Sequence, residues 1–314
     1  MSVLITGGTG FIGSHLARRL VKEGRKVVLF DVAPNYRRID DIKDAVKVVR
    51  GDLALWSNVL DAVRENEVTE IFHLGAVLSA ASEANPTASF KANVEGTFNV
   101  LEAARLFGAK KVLFPSSYAT YGPGFSNPVG EDERQEPRTA YGVSKVFGEL
   151  WGLYYCHRYG IDFRALRFTS IVGPGSGVGA ASAYASLIIQ KAALGEAYEV
   201  NVDEGARIPI IYYKDAVNAL IFLYKAKDLK HRVYNIGGIT PTAQEIVDTV
   251  KKHVPNAVIR FAPQPEIVAV IRSWPPNLDD RRARKELDWK PSYPLEELVK
   301  DFIGEVQNKR FLFE

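Results

Sequence analysis

The chain has 314 residues, of which 46% are hydrophobic and 25% are charged, as is usual for a globular protein with a sizeable core. The net charge of +3 is small and the basic residues are dispersed, so we expect no nucleic-acid or membrane partner. A strand pattern begins at the third residue, which leaves no room for a signal peptide. The single cysteine, Cys156, has no metal-ligand cluster around it in sequence, so we expect a cytoplasmic protein without a bound metal.

The N-terminal part of the chain carries the strongest pattern. A β-branched run, Val3–Thr6, breaks at glycines and resumes with helical periodicity, and a second apolar run ends at Asp31. This order predicts a strand, a tight turn, a helix and a parallel strand. Gly7, Gly10 and Gly13 have separate expected roles, which are the turn, a close approach of the backbone to a diphosphate, and close packing of the helix on the sheet.

The same segment favours a dinucleotide cofactor. Phe11 and Ile12 open the helix, whose N–H groups can bind phosphates. Asp31 follows the glycines by about twenty residues, where a carboxylate accepts the ribose hydroxyls. Its charge would repel a 2′-phosphate, so we expect NAD rather than NADP, with Arg37 and Arg38 as exposed loop cations. The alternative is a βαβ turn with a purely structural role.

The next predicted strand is Val46–Val49, and it is followed by Asp52 and Leu53. Strand tips in such a sheet face the cofactor, so we expect Asp52 to bind the adenine amino group and Leu53 to pack on the ring. In the alternative interpretation Asp52 caps a helix that begins near Ser57 or Val59.

A fourth buried strand is predicted over Glu70–Ala76. It ends in Leu74, Gly75 and Ala76, which are expected to let the chain pass beside the diphosphate and the nearer ribose. His73 lies inside the apolar run, and we expect a core histidine with satisfied hydrogen bonds rather than an acid or base.

Beyond this strand we expect a loop at Ser79–Glu83 and a long amphipathic helix from Pro86 that ends at Gly108. Asn93 is a polar residue within the apolar periodicity of that helix. A buried asparagine must form hydrogen bonds, so Asn93 could tie the helix to a neighbouring strand and line the cofactor site.

The fifth strand, Lys111–Ser117, brings hydroxyl groups to its carboxyl end, where ligands bind in open parallel sheets. The polar stretch Gly122–Arg138 is predicted to be a surface loop. Tyr141 and Lys145 then open a helix, and their spacing of four residues puts them one turn apart on one face.

Ser117, Tyr141 and Lys145 suggest an enzyme. A free phenol has a pKa of about 10 and is protonated at neutral pH. The Lys145 ammonium, together with the positive charge of a nicotinamide, would lower the pKa of Tyr141 enough for it to accept a hydroxyl proton. Ser117 would then hold the substrate oxygen. The alternative is an exposed helical pair without a catalytic role.

The sixth predicted strand is Phe163–Phe168, which a flexible loop at Gly173–Gly179 follows. Val233–Gly237 is expected to be the last strand of the sheet, and Leu295–Phe302 a closing helix. The chain as a whole predicts an α/β fold with a doubly wound parallel sheet and a smaller discontinuous C-terminal lobe that binds substrate.

The expected domain boundaries follow from this pattern. The dinucleotide-binding domain would span residues 1–170 and be completed by about 212–238. The lobe would comprise about 171–211 and 239–314.

These motifs resemble those of the extended short-chain dehydrogenases/reductases, the superfamily of the nucleotide-sugar 4-epimerases. The runs that carry the resemblance are Gly7–Gly13, Asp52-Leu53, His73–Ala76, Asn93–Thr97, Ser116-Ser117, Tyr121-Gly122, Tyr141–Lys145 and Arg167-Phe168. The resemblance implies NAD lying across the sheet, with Asn93 and Phe168 among its contacts. It also implies the roles given above for Ser117, Tyr141 and Lys145, and a homodimer formed by helices on one face.

The resemblance also narrows the subgroup. Dehydratases of the family carry an Asp-Glu pair after the serine position, where this chain has Tyr118-Ala119. Nucleotide-sugar epimerases usually show Arg-Asp-Phe before the strand that here reads Ile208–Tyr212, and a proline, Pro209, replaces the acidic position. Similar features occur instead in the epimerase-like L-threonine 3-dehydrogenases, which oxidise the β-hydroxyl of a small amino acid with NAD. The features are Leu78–Ala80, Pro209, Ser273–Pro275 and Leu278–Asp280.

One departure concerns the substrate. Those dehydrogenases carry a Gly-Thr-Thr loop, where this chain has Gly179–Ser182, so a related small hydroxy acid or a sugar-derived alcohol fits as well as threonine. Besides Ser117 and Tyr141, the candidate substrate-binding residues are Ser79, Ser182 and Trp274. Ser79 could instead be solvated or capping, and Trp274 could simply pack the C-terminal lobe.

The sequence therefore predicts an NAD-dependent oxidoreductase that oxidises a secondary hydroxyl of a small, threonine-like substrate. The alternative enzyme is a nucleotide-sugar 4-epimerase that keeps its NAD and returns the hydride. A third class is a non-catalytic NAD sensor or scaffold, against which the intact Ser117, Tyr141 and Lys145 argue.

Overall fold

A computed structural model of the chain describes residues 2–125, 127–176 and 179–308. Gly177 and Val178 of the predicted flexible loop lie outside the described residues. The chain forms two compact units, the first being Met1–Ser116, Ala140–Leu166 and Leu223–Val233, and the second Ser117–Thr139, Arg167–Phe222 and Tyr234–Glu314. The domain boundaries given above stay a prediction.

The strands follow the apolar runs of the sequence. They are β1 (Ser2–Thr6), β2 (Lys26–Asp31), β3 (Val46–Arg50), β4 (Val68–His73), β5 (Lys111–Ser117), β6 (Asp162–Phe168), β7 (Ser170–Val172), β8 (Tyr198–Val200), β9 (Ile210–Tyr212), β10 (Val233–Ile236) and β11 (Ile259–Phe261). The predicted ends of the first three, the fifth and the sixth strands are correct to within one residue. The fourth strand ends at His73, three residues earlier than predicted, so Leu74, Gly75 and Ala76 follow it.

The α-helices alternate with these strands. They are α1 (Phe11–Lys22), α2 (Trp56–Glu65), α3 (Ser79–Ala84), α4 (Pro86–Ser89), α5 (Gly96–Phe107), α6 (Ala140–Tyr159), α7 (Tyr184–Leu194), α8 (Tyr213–Lys225), α9 (Ala243–His253), α10 (Pro265–Arg272), α11 (Arg281–Leu287) and α12 (Leu295–Asn308). Within the described ranges, no helix has the length and apolar character needed to span a bilayer.

The main sheet has seven strands in the order β10-β6-β5-β4-β1-β2-β3. The pairs β1/β2, β1/β4, β2/β3 and β4/β5 are all parallel. The predicted doubly wound α/β fold is confirmed. The order reverses between β1 and β4, and ligands of such sheets bind outside the carboxyl ends of the strands at this switch point.

Two sequence predictions were wrong in the segment that follows β4. Ser79–Glu83 was expected to be a loop but lies in the helix α3, because its alanines favour the helix and the serine hydroxyls can be satisfied. Ser82 shows this, since its N–H donates to the Leu78 carbonyl at 2.7 Å and its Oγ to the Val77 carbonyl at 3.1 Å.

The long helix from Pro86 is not regular. A π-helical segment, Phe90–Glu95, separates α4 from α5. π-Helical turns are rare in proteins, and those that occur are often found at functional sites. Hydrophobic periodicity alone did not predict this segment.

In the first unit α6 packs closely on the sheet because of two glycines. A Cβ on Gly148 would lie 2.4 Å from Phe114, and one on Gly152 would lie 2.2 Å from Phe163. Both phenylalanines are buried, at 2% and 1% exposure, so neither ring can move aside cheaply.

In the second unit, β7 pairs with β9 and β8 with β11 as short parallel ribbons. A buried network fixes the loop that follows β5. The Tyr121 hydroxyl donates to Asn235 Oδ1 at 3.0 Å, and Arg167 donates to the Tyr121 hydroxyl and, at 3.0 Å, to the Glu131 carbonyl. The Asn235 N–H in turn donates to the Glu131 carboxylate at 3.0 Å. The segment predicted to be a surface loop is therefore anchored at Glu131.

We predict that Gly152→Ala lowers the free energy of unfolding by about 1–3 kcal/mol, because the added methyl overpacks the contact with Phe163. Gly304 is the matched control. It lies in α12 with nothing within 4 Å of an added Cβ, so Gly304→Ala should stabilise by about 0.5–1 kcal/mol. Urea denaturation of both variants measures the difference, and equal effects would contradict the packing argument.

Candidate active site

The carboxyl ends of β1 and β4 meet at the glycine turn. Gly7 adopts φ +62°, and a Cβ placed on it would lie 2.9 Å from Gly75 Cα. A Cβ on Gly13 would lie 2.3 Å from the Gly7 carbonyl oxygen. Only glycine fits these positions, and the result is a backbone surface without side chains at the switch point.

The N-terminus of α1 opens onto this surface. Its N-cap residue is Gly10, and in the described part of the chain no side chain caps it and no acidic residue lies in its first turn. The first N–H groups of a helix bind anions well, so Phe11 and Ile12 stand where a diphosphate would accept hydrogen bonds. The turn and the helix end therefore fit a dinucleotide.

Asp31 lies at the end of β2 and holds the glycine turn. Its Oδ2 accepts from the Thr9 hydroxyl at 2.7 Å and from the Thr9 N–H at 3.2 Å, and its Oδ1 accepts from the Ala33 N–H at 3.3 Å. Arg37 is exposed as expected, whereas Arg38 is half-buried and its carbonyl accepts a hydrogen bond from Arg18.

Asp52 and Leu53 follow β3. The Asp52 carboxylate accepts from the Ala54 N–H at 2.9 Å, while the N-cap of α2 is Leu55. The alternative in which Asp52 caps that helix is therefore wrong. Leu53 is 9% exposed and its carbonyl accepts from Asn99 at 2.8 Å.

Asn93 lies in the π-helical segment and clamps the chain that follows β4. Its Oδ1 accepts from the Val77 N–H at 2.7 Å, and its Nδ2 donates to the Val77 carbonyl at 2.9 Å. The same Nδ2 lies 3.3 Å from the hydroxyls of Ser89 and Ser144. Ser144 is part of the Tyr141–Lys145 motif, so Asn93 links that motif to the segment that carries Gly75.

His73 is a core histidine with both ring nitrogens bonded, as expected. Its Nδ1 lies 2.8 Å from Thr6 Oγ1 and its Nε2 lies 3.0 Å from Thr97 Oγ1. The Thr97 hydroxyl donates its proton to the Asn93 carbonyl, so it accepts from Nε2–H and the ring is neutral with an acceptor Nδ1. Burial, with Lys145 as the smaller cause, lowers the pKa of His73 to about 3.

Lys145 and Tyr141 lie together at the start of α6. The Lys145 Nζ is 5.4 Å from the centre of the Tyr141 ring and 4.5 Å from that of Phe114, and it donates to the Pro115 carbonyl at 2.7 Å. Lys145 is 5% exposed. Burial lowers its pKa to about 7, and the nearby Glu149 works against this effect.

Ser117 ends β5 and begins the chain of the second unit. It is buried, and its Oγ accepts from the Ala119 N–H at 3.1 Å. The next residue, Tyr118, hydrogen-bonds Ser170 through its hydroxyl at 2.8 Å and packs on the Trp274 ring at 5.1 Å between centroids. Trp274 is thus joined through Tyr118 to the turn that carries Ser117.

The remaining candidates are distributed over both units. Ser79 is buried in the first turn of α3, which excludes the solvated alternative. Phe168 is buried at the end of β6, and Ser182 lies partly exposed in a short 3-10 turn, Ala181–Ala183. Leu74 and Ala76 flank Gly75 after β4.

The second unit contains a cavity of about 280 Å³ that the sequence did not predict. Trp274 lines it together with Asp203, Arg207 and Arg272. The Arg272 guanidinium lies 3.6 Å from the Asp203 carboxylate, and the buried Trp274 indole N–H has no hydrogen-bond partner among the described residues. The charged residues that line this cavity are single charges in the sequence, and no sequence pattern indicated that they lie together.

Among residues 2–125, 127–176 and 179–308, no three His, Cys, Asp or Glu side chains are grouped so that they could hold a metal ion.

Comparisons with known proteins agree with the fold. The model of the NAD dependent epimerase/dehydratase family matches residues 3–237. The mitochondrial L-threonine 3-dehydrogenase of Bos taurus is 36% identical over 308 residues, which cover 96% of this chain and 82% of the relative.

Two solved structures extend the likeness. The GalE-like L-threonine dehydrogenase of Cupriavidus necator superposes with a TM-score of 0.89 at 32% identity, covering 98% of this chain and 100% of that one. The L-threonine dehydrogenase of Clostridium difficile gives 0.90 at 30% identity, covering 98% of each chain.

The family match and these relatives identify an NAD-dependent dehydrogenase of the extended short-chain dehydrogenase/reductase type. The chain belongs to the NAD dependent epimerase/dehydratase family. Within it, the chain is a dehydrogenase that oxidises a hydroxyl group.

The pKa of His73 yields a test of the buried network. Its folded value of about 3 lies below the unfolded value of about 6.5, so between these pH values only the unfolded chain binds the proton. His73 therefore contributes stability at neutral pH that is lost as the pH falls below about 6.5, by about 1.4 kcal/mol per pH unit.

We expect the His73 ring to stay neutral down to about pH 5 in the folded protein. Nitrogen NMR of the histidine rings measures this, with His73→Asn assigning the signal. A His73 signal that titrates near its ordinary pKa would contradict the network.

Proposed function

We propose that the protein oxidises the β-hydroxyl of L-threonine, or of a small hydroxy acid closely related to it, with NAD as the hydride acceptor. The observation that carries this proposal is the buried Lys145 beside Tyr141 at the start of α6. The threonine dehydrogenases described above support the substrate class.

We assign the cofactor site to the carboxyl ends of β1, β2, β3, β4 and β6. The residues that would hold the dinucleotide are Gly7, Gly10, Phe11, Ile12, Asp31, Asp52, Leu53, Leu74, Gly75, Ala76, Asn93, Tyr141, Lys145 and Phe168. The glycine surface and the uncapped start of α1 fit its diphosphate. The Asp31 carboxylate favours ribose hydroxyls over a 2′-phosphate, which supports NAD rather than NADP.

In the reaction, bound NAD supplies the acceptor for the hydride. Tyr141 accepts the proton of the substrate hydroxyl, and the Lys145 ammonium stabilises its phenolate. Ser117 donates to the substrate oxygen and orients it. The Pro115 carbonyl fixes Lys145 at 2.7 Å, so the ammonium is already placed before substrate arrives.

The substrate would contact Ser79, Ser117, Tyr141, Ser182 and Trp274. Trp274 packs against Tyr118, the neighbour of Ser117. This contact supports the interpretation that Trp274 forms a wall of the substrate pocket, rather than the alternative in which Trp274 has a purely structural role. The small cavity beside Trp274, with its arginines and Asp203, suits a small charged molecule better than a large apolar one.

The direct experiment follows NADH formation with NAD and a panel of L-threonine, other β-hydroxy acids, free sugars and sugar acids. We expect NADH with L-threonine or a close relative, and a much lower rate with NADP. Tyr141→Phe should lower kcat by about a hundred-fold to ten-thousand-fold because the base is lost. Tyr198→Phe, a half-buried tyrosine at the start of β8, is the matched control and should keep full activity.

Two outcomes would overturn the proposal. Unchanged turnover in Tyr141→Phe would remove the catalytic assignment. Silence across the panel, with NAD carried tightly through purification and a nucleotide sugar epimerised without net NADH, would establish the alternative 4-epimerase.

We also propose a homodimer formed through the outer faces of α5 and α6. Large apolar side chains are exposed there, namely Phe98, Leu106, Phe107, Val143, Leu150, Tyr154 and Tyr159. Ring contacts with Trp151 connect two of them across the helices, with the Phe98 centroid 6.1 Å and the Tyr154 centroid 5.4 Å from that of Trp151. An exposed apolar surface of this kind is typical of an interface, and a second copy of the chain is the commonest partner.

Leu150→Asp should convert the dimer into a monomer, because Leu150 is 59% exposed and a carboxylate would be buried at the interface. Light scattering on a sizing column measures the mass. Val258→Asp, at an equally exposed valine of the second unit, should leave the dimer intact. A monomeric unmodified protein would contradict the proposal.

We propose a cytoplasmic location from the single cysteine, Cys156, which is half-buried and free. The Bos taurus relative carries a mitochondrial name, so fractionation of the source cells is the measurement that decides the compartment.

A further inference from the structure

A second charged residue is buried behind Lys145. Glu149 lies one turn further along α6 and is 1% exposed. It accepts a hydrogen bond from the hydroxyl of Ser116, the neighbour of Pro115 in β5. Lys145 and Glu149 therefore contact consecutive residues of the same strand, and the mechanism above leaves Glu149 without a role.

A buried carboxylate is costly, so its presence here calls for compensation. The hydroxyl of Ser116 provides one hydrogen bond, and the nearest residue of opposite charge on the same helical face is Lys145. Gly148 lies between them on α6 and lets the helix approach Phe114, whose ring faces the Lys145 ammonium at 4.5 Å. The ammonium thus lies over an aromatic face, and the buried Glu149 carboxylate is one helical turn away.

The other groups around Lys145 supply no comparable negative charge. His73 is neutral, and Tyr141 carries its charge only when it acts as the base. The charged residues of the helical elements that pack on α6 are Glu83 on α3, Lys91 and Glu95 in the π-helical segment, and Glu102 and Arg105 on α5. Those of the strands that pack on it are Lys111 on β5 and Asp162, Arg164 and Arg167 on β6. Glu83, Lys91 and Glu95 are exposed, Glu102 pairs with Arg105, and Asp162 pairs with Arg164.

We propose that Glu149 is a positioning residue that keeps the Lys145 ammonium protonated and in place, and thereby sets the pH range in which Tyr141 can act. The inference rests on the proposed function only for its effect on turnover. The protonation of Lys145 itself is a property of the protein without cofactor, and it is measured separately.

The physical argument is electrostatic. Burial favours neutral lysine, while the Glu149 charge favours the ammonium, in agreement with the lowered pKa of Lys145 of about 7 and the opposing effect of Glu149. Without that charge the effect of burial is opposed less, so the ammonium deprotonates at lower pH. A neutral Lys145 no longer stabilises the Tyr141 phenolate, so the base is lost although both side chains remain.

The test uses Glu149→Gln, which keeps the shape and can still accept from Ser116. NMR of isotope-labelled lysine in the cofactor-free protein follows the Lys145 signal, assigned with Lys145→Arg. We expect the titration of Lys145 to move down by at least about one pH unit. Glu149→Asp should restore most of the shift, because it restores the charge.

Turnover provides the second readout. In Glu149→Gln, kcat/KM should fall about tenfold at about pH 8, and the loss should shrink as the pH is lowered and protons restore the ammonium. A merely structural role would cost the same at every pH. The matched control is Glu70→Gln in β4, which removes another carboxylate that accepts from a hydroxyl, that of Tyr224 at 2.8 Å, and whose ion-pair partner is Arg25 rather than Lys145.

The outcomes are distinct. An unmoved Lys145 titration in Glu149→Gln overturns this inference and leaves the proposed function intact. A shifted titration together with full turnover in Tyr141→Phe supports the inference about Lys145 and overturns the catalytic assignment. A loss of turnover that does not vary with pH assigns Glu149 to folding alone.

Discussion

The close approach of two backbone segments, at Gly7 and Gly75, is the constraint on which the rest of the first unit depends. No Cβ fits between them, so the ends of β1 and β4 meet as bare backbone. Hydrogen bonds in the interior hold these two segments together. The Gly75 N–H donates to the Thr6 hydroxyl, the Thr6 hydroxyl is hydrogen-bonded to His73, and His73 is hydrogen-bonded to Thr97. The surface that would hold a diphosphate is therefore set by the interior of the protein and not by flexible side chains.

Much of the fold could be predicted because its signals are local. The strands of the sheet are short apolar runs bounded by glycine or charge, and their ends lie close to where these patterns place them. The exceptions have other causes. α3 forms in a serine-rich stretch because the hydroxyl of Ser82 finds a carbonyl acceptor at Val77, a short-range hydrogen bond that hydrophobic periodicity does not reveal. Arg38 is half-buried, and its carbonyl accepts a hydrogen bond from Arg18 on α1, which the residues next to Arg38 do not indicate.

In the candidate site, too, the contacts between residues close in sequence could be predicted, whereas those between distant residues could not. Tyr141 and Lys145 are four residues apart, so their proximity follows from the helix itself. Glu149 has the same spacing from Lys145 and could have been singled out by it, but its burial is decided by Ser116 on a strand some thirty residues earlier. The cavity of the second unit depends on segments far apart in sequence, around Arg207 and Trp274, which single-residue patterns do not bring together.

The π-helical segment limits where a residue can be deleted from this chain without misplacing side chains. One extra residue in a turn rotates everything after it by about 100° about the helix axis. Asn93 faces the Val77 segment, while Val100 and Leu101 in α5 face the core, and a regular helix over the same residues would put these two faces out of phase. The wide turn therefore lets Asn93 face the Val77 segment while the apolar side of α5 still faces the core. Deletion of one residue of the π-helical segment is expected to rotate Asn93 away from the site or to expose the core, even when Asn93, Val100 and Leu101 are all still present.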